Sequence, residues 1–447
     1  MNSPLDYTSE PTRSVGLIAL GAVQLGIYGS LAIWEGYQTR PHIAMLLVLS
    51  ASLFYLLALF TAQRLSGRRM FGVAVAFGIA FRAFLFPEAP FLSDDYFRYL
   101  WDGIVQLGGI NPYRFAPGDP ALAGIDDALR AQVNHPEVRT IYPPLAQLVF
   151  LAAAKISAGS YLTLKTAWLV CDVVIAALLY RLVPEARRLQ AWLVYWWSPL
   201  VVVEVYWSAH LDLLGVAFVV IALALAKQVP IKSHAIGMAV AAASSIKYFA
   251  VGFLPAAARA GRPLQVLAGF VLVVALASIR YANVGITNTF EGLLTYARDW
   301  HFNAGLYRVL EWVFVSSTLA KVVAAAIVLV VVSGSARNRW SVERTAFWVT
   351  GAILMLSPTL HPWYMLWMVP LLAVRPSRGW LYLTGSVFLG YYGLGSFQAS
   401  GEWPEPWWLP MTVYGPFLVL LVADALRGSW WQAALGAIKT APGPRDV

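Results

Sequence analysis

Apolar runs of about 20 residues, the length that carries a helix across the hydrocarbon of a bilayer, recur along this chain. The clearest are 16–34, 43–62, 70–87, 161–183, 189–206, 210–227, 263–281, 317–335, 380–397 and 409–427. Three more, 142–158, 235–257 and 345–374, fit a single span less well. Lipid offers no hydrogen bonds, so spanning backbone must satisfy itself, and helices do that within one segment. The expected fold is all-α: a polytopic membrane bundle of about twelve or thirteen helices, with residues 1–447 forming one domain. The run 15–34, preceded by Arg13 and lacking a small-residue cleavage site, reads as an uncleaved first helix. Composition closes off other classes. Of 447 residues 59% are apolar and only 12% charged, about half the charge of a soluble domain, which excludes a water-soluble enzyme, a disordered chain and a coiled coil. The net charge of +9 does not point to nucleic acid, because most Lys and Arg sit in short links between the apolar runs. The single cysteine, Cys171, rules out an intrachain disulfide.

Those links orient the bundle. Arg64, Arg68 and Arg69; Arg181, Arg187 and Arg188; Lys227 and Lys232; Arg259 and Arg262; Arg337, Arg339 and Arg344; Arg375 and Arg378; and Arg427 and Lys439 mark the cytoplasmic side by the positive-inside rule. On that assignment 235–257 and 345–374 enter and return on one side. Each is interrupted where a hairpin would turn, at Ser245-Ile246-Lys247-Tyr248 and at Ser357-Pro358-Thr359-Leu360-His361-Pro362. Broken helices at membrane depth persist against protein or a wet cavity, so both breaks are candidate site walls. Segment 142–158 conflicts with the parity and is expected to be re-entrant. Three regions then lie outside: 88–141, 282–316 and the Trp-rich turn 398–408.

The first of these carries the densest acid cluster. Over 93–107, Asp95, Arg98, Asp102 and Gln106 share one stripe at helical spacing, with Tyr96, Phe97, Leu100, Ile104 and Leu107 opposite. The pattern predicts an amphipathic helix in the membrane interface, N-capped by Ser93 and ending near Gly108-Gly109. Asp94 and Asp95 in a first turn have a structural explanation, the helix dipole. They have a chemical one too: a carboxylate at a wet–lipid boundary can act as general base toward a hydroxyl while an amphiphilic partner enters from lipid.

The run SDDYFRYLWDGIVQLGGINPYRFAP at 93–117, followed by Ile141-Tyr142-Pro143-Pro144, resembles the first outer loop of bacterial GT-C glycosyltransferases. The resemblance is to those that use polyprenyl-phosphate mannose, of the glycosyltransferase family 87 kind. Trp207–Asp212, Lys247–Phe249, Trp300–Asn303 and Ser357–Tyr364 also look familial, so the likeness covers most of the chain from about residue 70. In many GT-C enzymes the acidic loop follows the first helix, whereas here it follows the third apparent one, so the family's helix numbering does not transfer.

The resemblance implies an inverting hexosyltransferase, a mannosyltransferase of the cell envelope, resident in a bacterial-type inner or plasma membrane with its acidic loop extracytoplasmic. Its partners would be a polyprenyl-phosphate sugar donor, a glycolipid, polysaccharide or protein acceptor, and the bilayer, with no nucleic acid. The absence of a Gly-rich phosphate loop fits a lipid-linked donor rather than a nucleotide sugar. A departing phosphate needs no general acid, so a carboxylate base and nearby cations suffice. The family's base is an acid of this loop; Asp94 and Asp95 both match, with Asp94 favoured because Asp95 could hold Arg98 or the sugar. Lys247, costly in an apolar segment unless paired, suits a phosphate. Arg98, His210, Asp212, Trp300, Asn303, His361, Trp363 and Tyr364 are the other candidate donor-binding residues. For the histidines a structural role, and for Trp300 interface anchoring, are equally simple readings. Asp172 is expected to bond a neighbouring helix. No ligand spacing points to a metal, and no cofactor is expected, although two histidines with the aspartates could hold a divalent ion. The rival from another class is a lipid or solute transporter, and a noncatalytic subunit is a third reading.

Overall fold

The computed structural model describes residues 10–426; Arg427 and Lys439 of the charge series lie outside them. Those residues form an all-helical bundle. Among them the only extended pairing is an isolated parallel bridge between Phe302 and Thr359. Among the described residues six helices are long and apolar enough to cross a membrane: Pro11–Ile33, Pro41–Thr61, Tyr161–Leu182, Pro263–Asp299, Ser317–Arg337 and Trp408–Leu426. Other apolar runs make shorter helices. The run 189–206 is two helices, Arg188–Trp196 and Pro199–Tyr206, because Pro199 lacks the N–H that would continue the first. Asp212–Ala226 has only 15 residues. The run 380–397 is the helix Arg378–Ser386, a 3₁₀ stretch Val387–Gly393 and the short helix Leu394–Ser400.

Both expected breaks are present. Helix Ser233–Ser244 stops, Lys247 is extended, and the chain resumes as 3₁₀ over Tyr248–Phe253. Helix Val342–Leu356 stops before His361, also extended, and resumes over Pro362–Trp367. Segment 142–158 is the short helix Pro144–Ile156. Its free N-terminal groups are satisfied by the first break, with Leu145 and Ala146 N–H donating to the Ser245 carbonyl at 3.1 and 3.2 Å. The broken helix Ser233–Ser244 crosses helix Pro263–Ser278 in backbone contact. A Cβ on Gly237 would meet the Val266 carbonyl oxygen at 1.9 Å, and one on Gly269 the His234 carbonyl oxygen at 2.2 Å, the close approach that small residues permit in membrane bundles.

A saturated ion pair joins two helices in the bundle interior. Arg82 Nε lies 2.5 Å from Asp172 Oδ2. Tyr195 and Tyr206 hydroxyls each donate to that carboxylate at 2.6 Å. Arg82 also donates to the Gly78 and Trp196 carbonyls and lies over the Trp196 ring. Asp172 therefore bonds neighbouring helices, as the sequence suggested.

Candidate functional site

The loop helix runs from Asp95 to Leu107, with Asp94 rather than Ser93 at the N-cap; the Ser93 hydroxyl accepts from Asp95 N–H at 3.2 Å. Its polar stripe does not face water. Arg98, Asp102 and Gln106 are all buried, because helix Pro144–Ile156 brings a matching set against them. Arg98 Nε donates to Asp102 Oδ1 at 3.1 Å, and its Nη2 to the Val138 carbonyl at 2.9 Å. Gln147 donates to Asp102 Oδ2 at 2.7 Å and to Thr140 at 2.8 Å, while Gln106 accepts from the Tyr281 hydroxyl at 2.8 Å. This network satisfies the groups it buries and locks the helix in place. Arg98 thus steadies Asp102, not Asp95.

Asp94 and Asp95 open instead onto a cavity of about 450 Å³ between the loop and both helix breaks. Asp94 stands at its mouth, within the lining, and the Asp95 side chain is 24% exposed. Asn134 joins the two, donating to Asp94 Oδ1 at 2.6 Å and Asp95 Oδ1 at 3.4 Å. Burial raises the proton affinity of Asp94, against the lowering effect of the Asn134 bond. Burial and then the charge of Asp94 push Asp95 up to about 7, with Asn134 and Lys247 pulling the other way. A carboxyl so placed can take and release a proton near neutral pH.

Of the other expected residues, Arg98, Asp212, Lys247, Trp300, His361, Trp363 and Tyr364 line the same cavity. Lys247 Nζ lies 2.5 Å from Asp212 Oδ1 and 3.6 Å from the Tyr364 ring centre. Trp367 donates to the same Asp212 oxygen at 2.6 Å, and Asp212 Oδ2 has no partner. This pair is therefore not saturated, and its exposed part at the cavity is the Lys247 side chain. His361 stacks on Trp363 and on Phe302 at 4.2 and 4.5 Å between ring centres. Two expected residues do not line the cavity. His210 is buried behind Trp363. Asn303 is a backbone support, with its N–H donating to Glu405 at 2.8 Å and its carbonyl accepting from Tyr414 at 2.5 Å.

The expected outer loop 282–316 contains the helices Gly285–Asp299 and Leu306–Phe314. The first packs so tightly on the acidic loop that a Cβ on Gly292 would meet the Arg139 carbonyl oxygen at 2.2 Å. Arg139 pairs with Glu291 and bonds Asn288 at 2.8 Å. That contact seats Tyr296, whose hydroxyl meets that of Tyr364 at 2.7 Å, and Trp300, which packs edge-on against His135. Sequence reasoning missed Asn134, His135, Tyr296 and Tyr391, all on the cavity wall. The Asn134-His135-Pro136 turn inside an acidic loop was the available signal for the first two. Among the described residues no group of three or more His, Cys, Asp or Glu is arranged to hold a metal.

A family described as alpha-(1→6)-mannopyranosyltransferase, N-terminal domain, matches residues 14–261. The match takes in the acidic loop, His210, Asp212 and Lys247, and leaves Trp300 and the second break beyond it. No curated protein and no solved structure matches the chain. A matched stretch of more than half its length, in a helical membrane bundle, shows that this chain belongs to the alpha-(1→6)-mannopyranosyltransferase family and is an integral-membrane mannosyltransferase, with a sugar donor and an acceptor as its substrates.

Proposed function

We propose that the whole chain is one GT-C-type domain that takes mannose from a polyprenyl-phosphate donor and places it, with inversion, on an acceptor hydroxyl outside the cytoplasm. One observation carries this reading: two aspartates and Lys247 face a single cavity walled by both broken helices. Asp95 is the better base of the two. The competing role for it, holding Arg98, is filled by Asp102, and its proton affinity lies near neutrality. Asp94, at the mouth, meets the acceptor and keeps its neighbour basic. The acceptor oxygen bonds to C1 of mannose as its proton passes to Asp95. The C1–O bond to phosphate breaks, and the phosphate leaves with the electron pair. In-line attack inverts C1. Lys247 steadies the phosphate, and His361, Trp363, Tyr364 and Trp300 supply ring faces and polar edges for the sugar. No step calls on a metal.

Membranes containing the protein are given labelled polyprenyl-phosphate mannose or labelled nucleotide-linked mannose, with an α-mannoside acceptor and EDTA present. Transfer from the lipid donor alone is expected. Transfer from the nucleotide sugar overturns the donor assignment. Movement of the lipid across vesicles without a glycosidic bond favours the transporter.

A further inference from the structure

Behind Asp95 stands a pair of side chains that the reaction above does not use. His210 is fully buried, and neither of its ring nitrogens has a hydrogen-bond partner. Leaving a buried polar atom unpaired costs about 1–3 kcal/mol, so an orphaned imidazole calls for a reason. Its surroundings supply one. Nε2 lies 3.4 Å from Glu204 Oε2, and Nδ1 lies 3.9 Å from Asp95 Oδ2. Glu204 is also fully buried, and its two oxygens accept from the Tyr391 hydroxyl at 3.1 and 3.0 Å. Trp363 stacks on the imidazole at 3.9 Å and 13° and fixes its plane. Each ring nitrogen thus faces a carboxylate, one inside the protein and one at the cavity. A small closing onto Glu204 would seat the ring proton on Nε2 and leave the Nδ1 lone pair facing Asp95.

We infer that His210 and Glu204 are a positioning and proton-accepting pair for Asp95; the inference rests on Asp95 being the base. After transfer, Asp95 carries the acceptor's proton. A closing of about 1 Å brings Oδ2 and Nδ1 to hydrogen-bond length. The proton passes to Nδ1 as Nε2 gives its own to Glu204, so the ring stays neutral, Glu204 holds the proton, and Asp95 is a carboxylate again before the next donor binds. The proton returns by the same path to water when product leaves. The other titratable groups around the pair are Lys247 and His361 from the two breaks, together with Asp212 and Tyr391.

The test is the pH–rate profile of mannose transfer from labelled polyprenyl-phosphate mannose in the Glu204→Gln and His210→Gln proteins. Glu204→Gln removes a charge and keeps the shape. His210 becomes a weaker base, so kcat falls about tenfold, KM for the donor holds, and the acidic limb moves down by about one pH unit. His210→Gln lowers kcat by about 100-fold. A Glu204→Gln profile that coincides with wild type overturns the pair, as does a rate loss that only tracks the amount of folded protein with the limb unmoved. Tyr391→Phe serves if Glu204→Gln does not accumulate: it strips one hydroxyl from Glu204 and must also move the limb. An Asp95→Asn protein with wild-type rate sinks the base reading itself. An inactive Asp95→Asn protein beside an unmoved Glu204→Gln limb sinks the relay alone.

Discussion

Two buried ion pairs in this protein differ in how completely they are satisfied. Around Arg82 and Asp172 every strong donor meets an acceptor: two tyrosines, two backbone carbonyls and an indole face close the site. Around Lys247 and Asp212 one carboxylate oxygen is left without a partner, and the ammonium sits at a cavity wall against the Tyr364 ring. Both pairs are made of charges that lipid penalises. The first joins the helices Arg68–Leu85 and Tyr161–Leu182 and leaves nothing over for a ligand. The second lies where the helix Ser233–Ser244 has ended, with the Lys247 side chain 18% exposed at the cavity wall. Saturation therefore separates scaffold from site, and substitution can probe that separation.

The largest effect belongs to the saturated pair. Asp172→Asn leaves Arg82 uncompensated, which costs about 3–5 kcal/mol. Thermal unfolding in detergent should show a destabilised protein whose rate per folded molecule is close to wild type; a stable but inactive protein would place Asp172 in the site. Lys247→Met made together with Asp212→Asn, so that no buried carboxylate is left unpaired, should do the reverse, cutting transfer by about 100-fold through lost phosphate stabilisation with little change in unfolding temperature. If that double variant unfolds instead, the two pairs are alike and the comparison fails. Next comes pH. Transfer should fall about tenfold for each unit below pH 7, since Asp95 must be ionised to act and its proton leaves at about 7. The stability consequence has the opposite sign. A carboxyl whose proton affinity is raised on folding binds more protons folded than unfolded between its two values, so its contribution to stability is lost as pH rises toward 7. Asp95→Asn should accordingly melt above wild type at pH 8, and the gap should narrow at pH 5. The smallest effect is expected from Trp300→Ala, a few-fold rise in donor or acceptor KM with kcat kept, because it trims one ring from the rim.

Much of this site was visible in the residues alone. Lys247 in an apolar run and Pro358 and Pro362 around His361 are local signals, and both breaks fell where those signals stand. The acidic helix was legible too, but its orientation was not. Its polar stripe faces Gln147 and Thr140 of another segment rather than water, and nothing within 93–107 encodes that partner. The split of 189–206 had a local cue in Pro199 that hydropathy averaging passed over. His210 and Asn303 look alike as lone polar residues beside aromatics, yet one faces Asp95 and the other braces a backbone bridge; only tertiary packing distinguishes them. The same holds for Gly292, whose lack of a side chain lets the second outer helix close over the first loop.

The most direct test of the central claim is the transfer rate per folded molecule of the Asp94→Asn, Asp95→Asn double variant, with labelled polyprenyl-phosphate mannose as donor. A fall of about 10²–10⁴-fold, the usual worth of a general base, in a protein that still binds donor is the predicted result. A rate within a few-fold of wild type would mean that these two aspartates do not carry the chemistry.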